Sequence, residues 1–128
     1  MPSPEQSEYA ATLLRRARSD AAAAHVLAGS PEAGDDVVGF HAQQAVEKSL
    51  KAVLVTHGTE FPRTHDLAFL PDVAAEAGIA PPENVRDGAW LTPWAAQLRY
   101  DEGQAQLDRA AALEVADAAT DWAGSVIA

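Results

Sequence analysis

Segments rich in glycine and proline divide this chain into pieces that have the lengths and apolar spacings of helices. These segments are residues 29–31, 58–62, 78–82 and 101–103. Between them, apolar residues recur every three or four positions, and no stretch alternates apolar and polar residues as a half-buried strand would. The sequence therefore predicts an all-α fold, a single-domain antiparallel helical bundle of residues 1–128 with four long helices and a shorter one.

Capping and breaking residues predict where these helices begin and end. Ser3 should cap the first helix, and Gly58 should end the second in a left-handed conformation. Thr64 should cap the third helix, and Pro93 should kink or split the fourth. The predicted spans are about 4–28, 35–57, 65–77, 82–98 and 108–127.

The acidic charge of the chain limits what it can bind. Its 19 acidic and 9 basic residues give a formal net charge of −10, so the field of the whole molecule repels polyanions at long range. Non-specific binding of duplex DNA is not expected, because that affinity comes mostly from neutralising phosphates. A nucleotide or RNA would have to bind at a local basic pocket or through a basic partner.

Several kinds of targeting segment and reactive motif are missing from the sequence. No apolar run reaches the roughly 18 residues needed to cross a bilayer, and residues 1–5 lack the basic and apolar regions of a secretory signal. The chain contains no cysteine and no Glu-x-x-His pair, which removes the usual thiolate and helical-bundle metal ligands. We expect a cytoplasmic protein without a membrane segment, a metal site or a cofactor.

The predicted second helix carries two chemically different stripes. At about 100° per residue, one arc is apolar and consists of Ala42, Val46, Leu50, Val53 and Leu54. A second arc, the donor stripe, consists of His41, Gln44, Lys48 and Lys51. In such an acidic chain, the donor stripe is either a solvated helix face or a site for an anion or nucleotide.

Gln43 and Glu47 lie beside the apolar arc of the same helix. A buried amide or carboxylate is costly unless it is hydrogen-bonded, so both side chains need partners. Glu47 precedes Lys51 by four residues, the favourable order for an ion pair within a helix. Glu47 therefore either forms this structural pair or orients Lys51, or an arginine from another helix, toward a ligand.

Two later clusters add cations and an aromatic ring. Arg63, Thr64 and His65 precede or begin the predicted third helix, where they form either a phosphate cradle or an ordinary helix cap. His65 could also hydrogen-bond to the second helix. Arg99 lies near the end of the predicted fourth helix, where it either stabilises the helix dipole or reaches into a groove. Tyr100 either stacks on a base or lies across the edge of the bundle.

Together, these segments resemble the HEPN domain, a helical-bundle family named for nucleotide binding in higher eukaryotes and prokaryotes. The matching segments are 40–51, 63–67 and 99–100, and their order and spacing cover nearly the whole chain. The resemblance implies binding of a nucleotide or RNA, a homodimer, and a minimal nucleotidyltransferase as the partner in a toxin–antitoxin type of pair. On this interpretation the ligand-binding residues are Gln44, Lys48, Lys51, Arg63, His65, Arg99 and Tyr100.

The resemblance also raises the question of RNA cleavage. Many HEPN proteins are dimeric ribonucleases that use an arginine followed a few residues later by a histidine. The only similar pair here, Arg18 and His25, lies in the predicted first helix and not in the late region, so we assign it no nuclease role. A metal-independent endoribonuclease with His65, Arg99 and His41 as candidate catalytic groups is one alternative. A non-catalytic helical assembly partner is the other alternative. Binding is the leading interpretation, because a binding site makes weaker demands than a catalytic site on how the side chains come together.

Overall fold

The chain folds into a bundle of helices in residues 2–95 and 106–127, the parts that the computed structural model describes. The elements are α1 (Pro4–Ala28), α2 (Asp35–Thr56), α3 (Phe69–Glu76), α4 (Glu83–Arg86), a 3₁₀ helix (Gly88–Ala95) and α5 (Arg109–Ile127). These two ranges contain no strand, which confirms the predicted all-α fold. Within them, no helix combines the length and the apolar character that crossing a membrane requires.

The long helices α1, α2 and α5 form the bundle, and α1 runs antiparallel to its two neighbours. Arg18 of α1 lies against Gly124 of α5, whereas His25 of α1 contacts Asp117. Residue numbers therefore rise along α1 as they fall along α5. The short connection of residues 29–34 likewise makes α1 and α2 antiparallel neighbours.

α2 is the central helix of the bundle. It contacts α1, α3, α5 and the 3₁₀ helix, and 12 of its 22 residues are buried. All five residues of the predicted apolar arc are fully buried. Gln43 and Glu47 are buried as well, so α2 carries an amide and a carboxylate into the interior. Buried polar groups of this kind are costly unless they are hydrogen-bonded, so both side chains need partners within the bundle.

The predicted ends of α1 and α2 are confirmed, and each has a local cause. Oγ of Ser3 accepts a hydrogen bond from the N–H of Gln6 at 3.1 Å, and the Gln6 side chain accepts one from the N–H of Ser3 at 2.8 Å. This reciprocal pair satisfies donors that the first turn leaves free. Beyond α2, Gly58 has a φ of +67°, a backbone conformation that residues other than glycine rarely adopt.

The third helix begins later than predicted, at Phe69. Oγ1 of Thr64 accepts a hydrogen bond from the N–H of Asp66 at 3.0 Å, and Oδ1 of Asp66 accepts one from the N–H of Ala68 at 2.8 Å. These local bonds hold residues 64–68 in turns that compete with a helix. The prediction that Thr64 caps α3 is therefore wrong.

The predicted fourth helix is divided into α4 and the 3₁₀ helix that contains Pro93. Three residues per turn align Gly88, Leu91 and Trp94 on the buried side of the 3₁₀ helix. The four-residue spacing of Trp90 and Trp94 would place both rings on one stripe of an α-helix, but Trp90 is 41% exposed. The 3₁₀ helix, with three residues per turn, places the two rings on different sides.

The Trp94 ring packs directly against the backbone of α2 at Gly39. A Cβ added to Gly39 would lie 2.7 Å from Cδ2 of Trp94. We expect Gly39→Ala to lower the free energy of unfolding by about 2 kcal/mol, because overpacking outweighs the roughly 1 kcal/mol that alanine gains over glycine in a helix. Urea denaturation followed by circular dichroism measures this loss.

Gly124→Ala is the matched control for Gly39→Ala. Its added Cβ would meet the end of the flexible Arg18 side chain, at 2.5 Å from Nη2, and that side chain can move aside. We expect no destabilisation there, and a gain of up to about 1 kcal/mol from helix propensity. Equal losses in the two variants would contradict the close contact between Gly39 and Trp94.

Candidate functional site

A buried carboxylate organises the polar side of α2. The side chain of Glu47 is only 5% exposed. Its Oε1 accepts a hydrogen bond from Nε2 of Gln43 at 3.0 Å and lies 2.7 Å from Nδ1 of His65. Its Oε2 accepts a hydrogen bond from Nζ of Lys51 at 3.0 Å. Both the predicted pair with Lys51 and the contact between His65 and α2 are therefore present, and the buried charge is satisfied.

His65 is anchored by this carboxylate, yet its side chain is 63% exposed. The carbonyl oxygen of His65 accepts a second hydrogen bond from Nε2 of Gln43 at 3.1 Å, so α2 holds both its ring and its backbone. Since a carboxylate only accepts hydrogen bonds, Nδ1 of His65 carries the proton that it donates to Glu47. Nε2 is then the ring nitrogen that remains for a ligand.

A second carboxylate, Asp20 of α1, holds two members of the donor stripe. Its Oδ1 lies 2.8 Å from Nδ1 of His41, and its Oδ2 accepts a hydrogen bond from Nζ of Lys48 at 2.6 Å. Asp20 is mostly buried between the two helices. Asp20 was not among the predicted site residues. It lies three residues after Ala17 and four before Ala24, which are both buried, so its spacing places it near the apolar side of α1 but does not identify its partners.

Gln44 extends the hydrogen bonds of Glu47 along α2. Its Nε2 donates a hydrogen bond to Oε1 of Gln43 at 2.7 Å, and Gln43 in turn donates to Glu47. The polar side chains therefore form two hydrogen-bonded clusters side by side on α2, one around Glu47 and one around Asp20. We call this surface the α2 polar face and define it by the exposed or partly exposed donors His41, Gln44, Lys48, Lys51 and His65.

The α2 polar face is less cationic than the sequence indicated. Lys48 and Lys51 each form an ion pair with a carboxylate, Asp20 and Glu47 respectively, so two positive and two negative charges balance. Each ammonium group nevertheless has three donors, and only one of them is used in its ion pair. The face therefore offers oriented hydrogen-bond donors more than a strong positive field.

Three residues of the predicted site remain. Arg63 is exposed, two residues before His65 in the chain. Arg99 and Tyr100 lie outside the described residues. Of the three segments that contain the predicted ligand-binding residues, 40–51, 63–67 and 99–100, the structure thus shows the first two in contact.

Arg18 and His25, the only pair with a spacing similar to the nuclease motif, both contact α5. The Arg18 guanidinium lies over Gly124, and Nε2 of His25 lies 2.8 Å from Oδ2 of Asp117. Both side chains therefore connect α1 to α5, on a different part of the bundle from the contacts that define the α2 polar face.

Comparison with known proteins identifies a family for this chain. The family model of the HEPN domain matches residues 10–127. The chain belongs to the HEPN domain family. Searches of curated proteins and of solved structures found no significant match. The HEPN match includes the whole α2 polar face, and it supports a nucleotide- or RNA-related function in broad terms.

In this HEPN domain, two of the segments that carry the resemblance are in direct contact. Segment 63–67 reaches segment 40–51 through the contact of His65 with Glu47 and through the hydrogen bond from Gln43 to the His65 carbonyl. The polar residues of these segments therefore form a shared network. The polar pattern of segment 40–51 is not due to solvent exposure alone, because Gln43 and Glu47 are buried.

Proposed function

We propose that this HEPN domain binds a nucleotide or RNA at the α2 polar face. The observation that carries the proposal is the gathering of two ammonium groups, an amide and an exposed imidazole along α2, held by two carboxylates that are mostly buried. Phosphate oxygens accept hydrogen bonds from each of these groups. The family match supports the same class of ligand.

The lysines of this face are held in place before a ligand arrives. Lys48 is anchored by Asp20, and Lys51 is anchored by Glu47. Nζ of Lys51 also lies 5.9 Å from the centre of the Phe61 ring, a favourable position for a cation near an aromatic face. Anchored side chains lose less conformational entropy on binding than free ones, so the carboxylates contribute order although they reduce the charge.

Binding at this face should depend only weakly on salt. Two lysines contacting phosphates of a single strand release few counterions, which predicts a slope of log K against log salt of about −1.4, at about −0.7 for each contact. Fluorescence anisotropy of a labelled single-stranded RNA across a salt series measures the slope. A slope several times steeper would contradict recognition by this face and indicate a wider cationic surface.

Lys48→Gln tests the proposed site directly. Glutamine can still donate a hydrogen bond to Asp20 but lacks the positive charge, so we expect affinity for single-stranded RNA or ATP to fall about tenfold, which corresponds to about 1.4 kcal/mol. Anisotropy with RNA and thermal stabilisation by ATP show which of the two ligands is bound.

Arg86→Gln is the matched control for Lys48→Gln. It changes the net charge by the same amount, but Arg86 is exposed in α4 and lies outside the α2 polar face. We expect its effect on affinity to be small. Unchanged binding in Lys48→Gln, or equal losses in both variants, would contradict the proposed site.

We further propose, from the family resemblance, that the protein is a cytoplasmic homodimer and pairs with a minimal nucleotidyltransferase in a toxin–antitoxin type of module. Native mass spectrometry of the complex purified from its own cells tests both associations. A stoichiometric nucleotidyltransferase would support the pairing, and purification of the chain as a lone monomer would contradict both proposals.

A further inference from the structure

The contact between His65 and Glu47 determines what the imidazole ring presents to a ligand. Nδ1 of His65 lies 2.7 Å from Oε1 of Glu47, and a carboxylate only accepts hydrogen bonds, so the proton of the neutral ring is on Nδ1. Nε2 of the neutral ring then carries a lone pair and no proton. The exposed ring therefore presents a hydrogen-bond acceptor to whatever binds there.

A neutral His65 ring does not suit a phosphate group. The oxygens of a phosphodiester accept hydrogen bonds and donate none, so they and the lone pair of Nε2 repel each other. Once Nε2 takes up a proton, the ring is a cation with a donor on each nitrogen. One donor then serves Glu47 and the other serves the phosphate, as a charge-assisted hydrogen bond. Because Glu47 accepts from Nδ1 in both states, the ring need not turn when its charge changes.

The charges around His65 balance while the ring is neutral. In the part of the chain that the structure describes, α2 supplies Glu47 and, on the other oxygen of that carboxylate, the ammonium group of Lys51. The 3₁₀ helix, which contacts the segment of His65, has no charged residue. Arg63 and Asp66 are the charged neighbours of His65 in its own segment, and their charges are opposite. A proton on Nε2 therefore gives this end of the α2 polar face a net positive charge.

The other histidines of the chain lack this combination of partners. His25 and the aspartate of α5 that it contacts are both about half exposed. His41 binds Asp20 through Nδ1, but its side chain is only 25% exposed. His57 contacts a backbone carbonyl of α2, which carries no full charge. His65 is therefore the histidine in which a buried carboxylate holds one nitrogen of an exposed ring.

We propose that His65 takes up a proton at Nε2 when a phosphate group binds at the α2 polar face, with Glu47 as its positioning residue. This inference rests on the proposed function. The bound phosphate supplies a second negative charge, so the cations of Lys51 and His65 then face two anions, Glu47 and the phosphate. Since the ligand binds the protonated form, affinity falls as the pH rises. By the same coupling, the bound ligand keeps the proton on His65 up to a higher pH.

The affinity for a labelled single-stranded RNA without a terminal phosphate, measured by fluorescence anisotropy at about pH 6 and about pH 8, tests the inference. Histidine is the side chain that ordinarily changes charge in this range, whereas the diester groups of the RNA keep theirs. We expect the affinity of the wild-type protein to fall about tenfold between the two pH values. His65→Gln should show a change of less than about twofold, because glutamine does not titrate.

ATP is the second probe, because the phosphate bound at this face belongs either to RNA or to a free nucleotide. A terminal phosphate itself changes charge near about pH 6, so the difference in pH dependence between wild type and His65→Gln is the quantity to compare. The same difference of about tenfold is expected for whichever of the two ligands binds.

His25→Gln is the matched control for His65→Gln. It replaces an exposed, carboxylate-bound imidazole in the same way, but His25 connects α1 to α5 and lies away from the α2 polar face. We expect this variant to keep the pH dependence of the wild type. Circular dichroism of both variants confirms that they are folded.

The ring nitrogens of His65 can also be followed by NMR in the wild-type protein, which does not depend on any variant being stable. We expect the neutral ring to carry its proton on Nδ1, and both nitrogens to stay protonated to a higher pH in the complex than in the free protein. A neutral ring with its proton on Nε2 would overturn the inference, and so would the same titration in the free and bound states.

The binding measurements distinguish this inference from the proposed function. Equal affinity of the wild-type protein at the two pH values would overturn the inference and leave the binding proposal in place. A pH dependence that persists in His65→Gln, or that disappears in His25→Gln, would also overturn it. Absence of binding of both RNA and ATP at either pH would overturn both proposals.

Discussion

Replacing Arg109 with alanine is expected to lower the free energy of unfolding by about 3 kcal/mol, a large effect for one partly exposed side chain. Nε of Arg109 donates a hydrogen bond to Oδ1 of Asp35 at 2.8 Å. The terminal nitrogens donate to four backbone carbonyls, at 3.5, 3.2, 3.4 and 2.6 Å, those of Leu27, Ala28, Ser30 and Ala33. One guanidinium at the start of α5 thus joins the end of α1 to the start of α2.

The effect should be large because one guanidinium serves several carbonyls at once. The carbonyls of Leu27 and Ser30 also accept backbone hydrogen bonds, so the loss falls mainly on those of Ala28 and Ala33. The last carbonyls of α1 have no hydrogen-bond donor within their own helix, and the connection of residues 29–34 has few side chains that could replace the guanidinium. Arg109→Lys keeps the charge but loses the planar fork of donors, so we expect it to recover less than half of the loss. Thermal denaturation should show a drop in Tm of about 10 °C for Arg109→Ala.

Arg86→Ala is the control for this prediction. The Arg86 side chain is 58% exposed, and its nitrogens lie 3.9 Å from Glu83 and 3.5 Å from Asp87. Exposed pairs of this kind stabilise proteins by less than about 1 kcal/mol. Comparable losses in Arg86→Ala and Arg109→Ala would show that the network around residues 29–34 is not what gives Arg109 its effect.

The same network makes part of the stability dependent on pH. Burial by itself raises the pKa of Asp35, but the hydrogen bonds from Arg109 and from the N–H of Leu107, together with the Arg109 charge, bring that pKa below its ordinary value of 3.8. The stabilisation is therefore complete above pH 3.8 and is lost as the pH falls through the lower folded value. The difference in unfolding free energy between wild type and Asp35→Asn should shrink over that acidic range.

Local chemistry explains which parts of the fold could be predicted from the sequence. Ser3 and Gly58 determine the backbone within one turn of themselves, so the ends of α1 and α2 were predicted correctly. The start of α3 depended on a more distant contact, and the exposure of Trp90 on the 3₁₀ conformation of its own segment. Leu67 donates its N–H to Oγ1 of Thr92 at 3.0 Å, and this contact between segments far apart in sequence helps to hold the turns before α3.

In the candidate site, too, the contacts within one helix could be predicted from the sequence, whereas those between helices could not. Glu47 and Lys51 are four residues apart on one helix, so their ion pair could be predicted from spacing alone. The contact of Asp20 with His41 and Lys48 depends on how α1 is rotated about its axis against α2. The spacing of residues within either helix does not give that rotation. For that reason the donor stripe could be predicted but its neutralising partner could not.

Replacing Glu47 with leucine is expected to lower the free energy of unfolding by about 4 kcal/mol. The loss comes mainly from Lys51, which is mostly buried and would retain a charge without its partner. Gln43 keeps its hydrogen bond to the His65 carbonyl, and the exposed His65 ring can bind water. Urea denaturation of Glu47→Leu measures the loss.

The double variant Glu47→Leu with Lys51→Met separates the ion pair from the rest of the network. Replacing both partners of a buried pair with apolar side chains is often neutral or stabilising, so we expect the double variant to recover more than half of the loss. A double variant as unstable as Glu47→Leu alone would contradict this account. If it is as stable as the wild type but no longer binds RNA, the pair is dispensable for folding, and the chain retains a carboxylate in its interior because the α2 polar face requires it for the ligand.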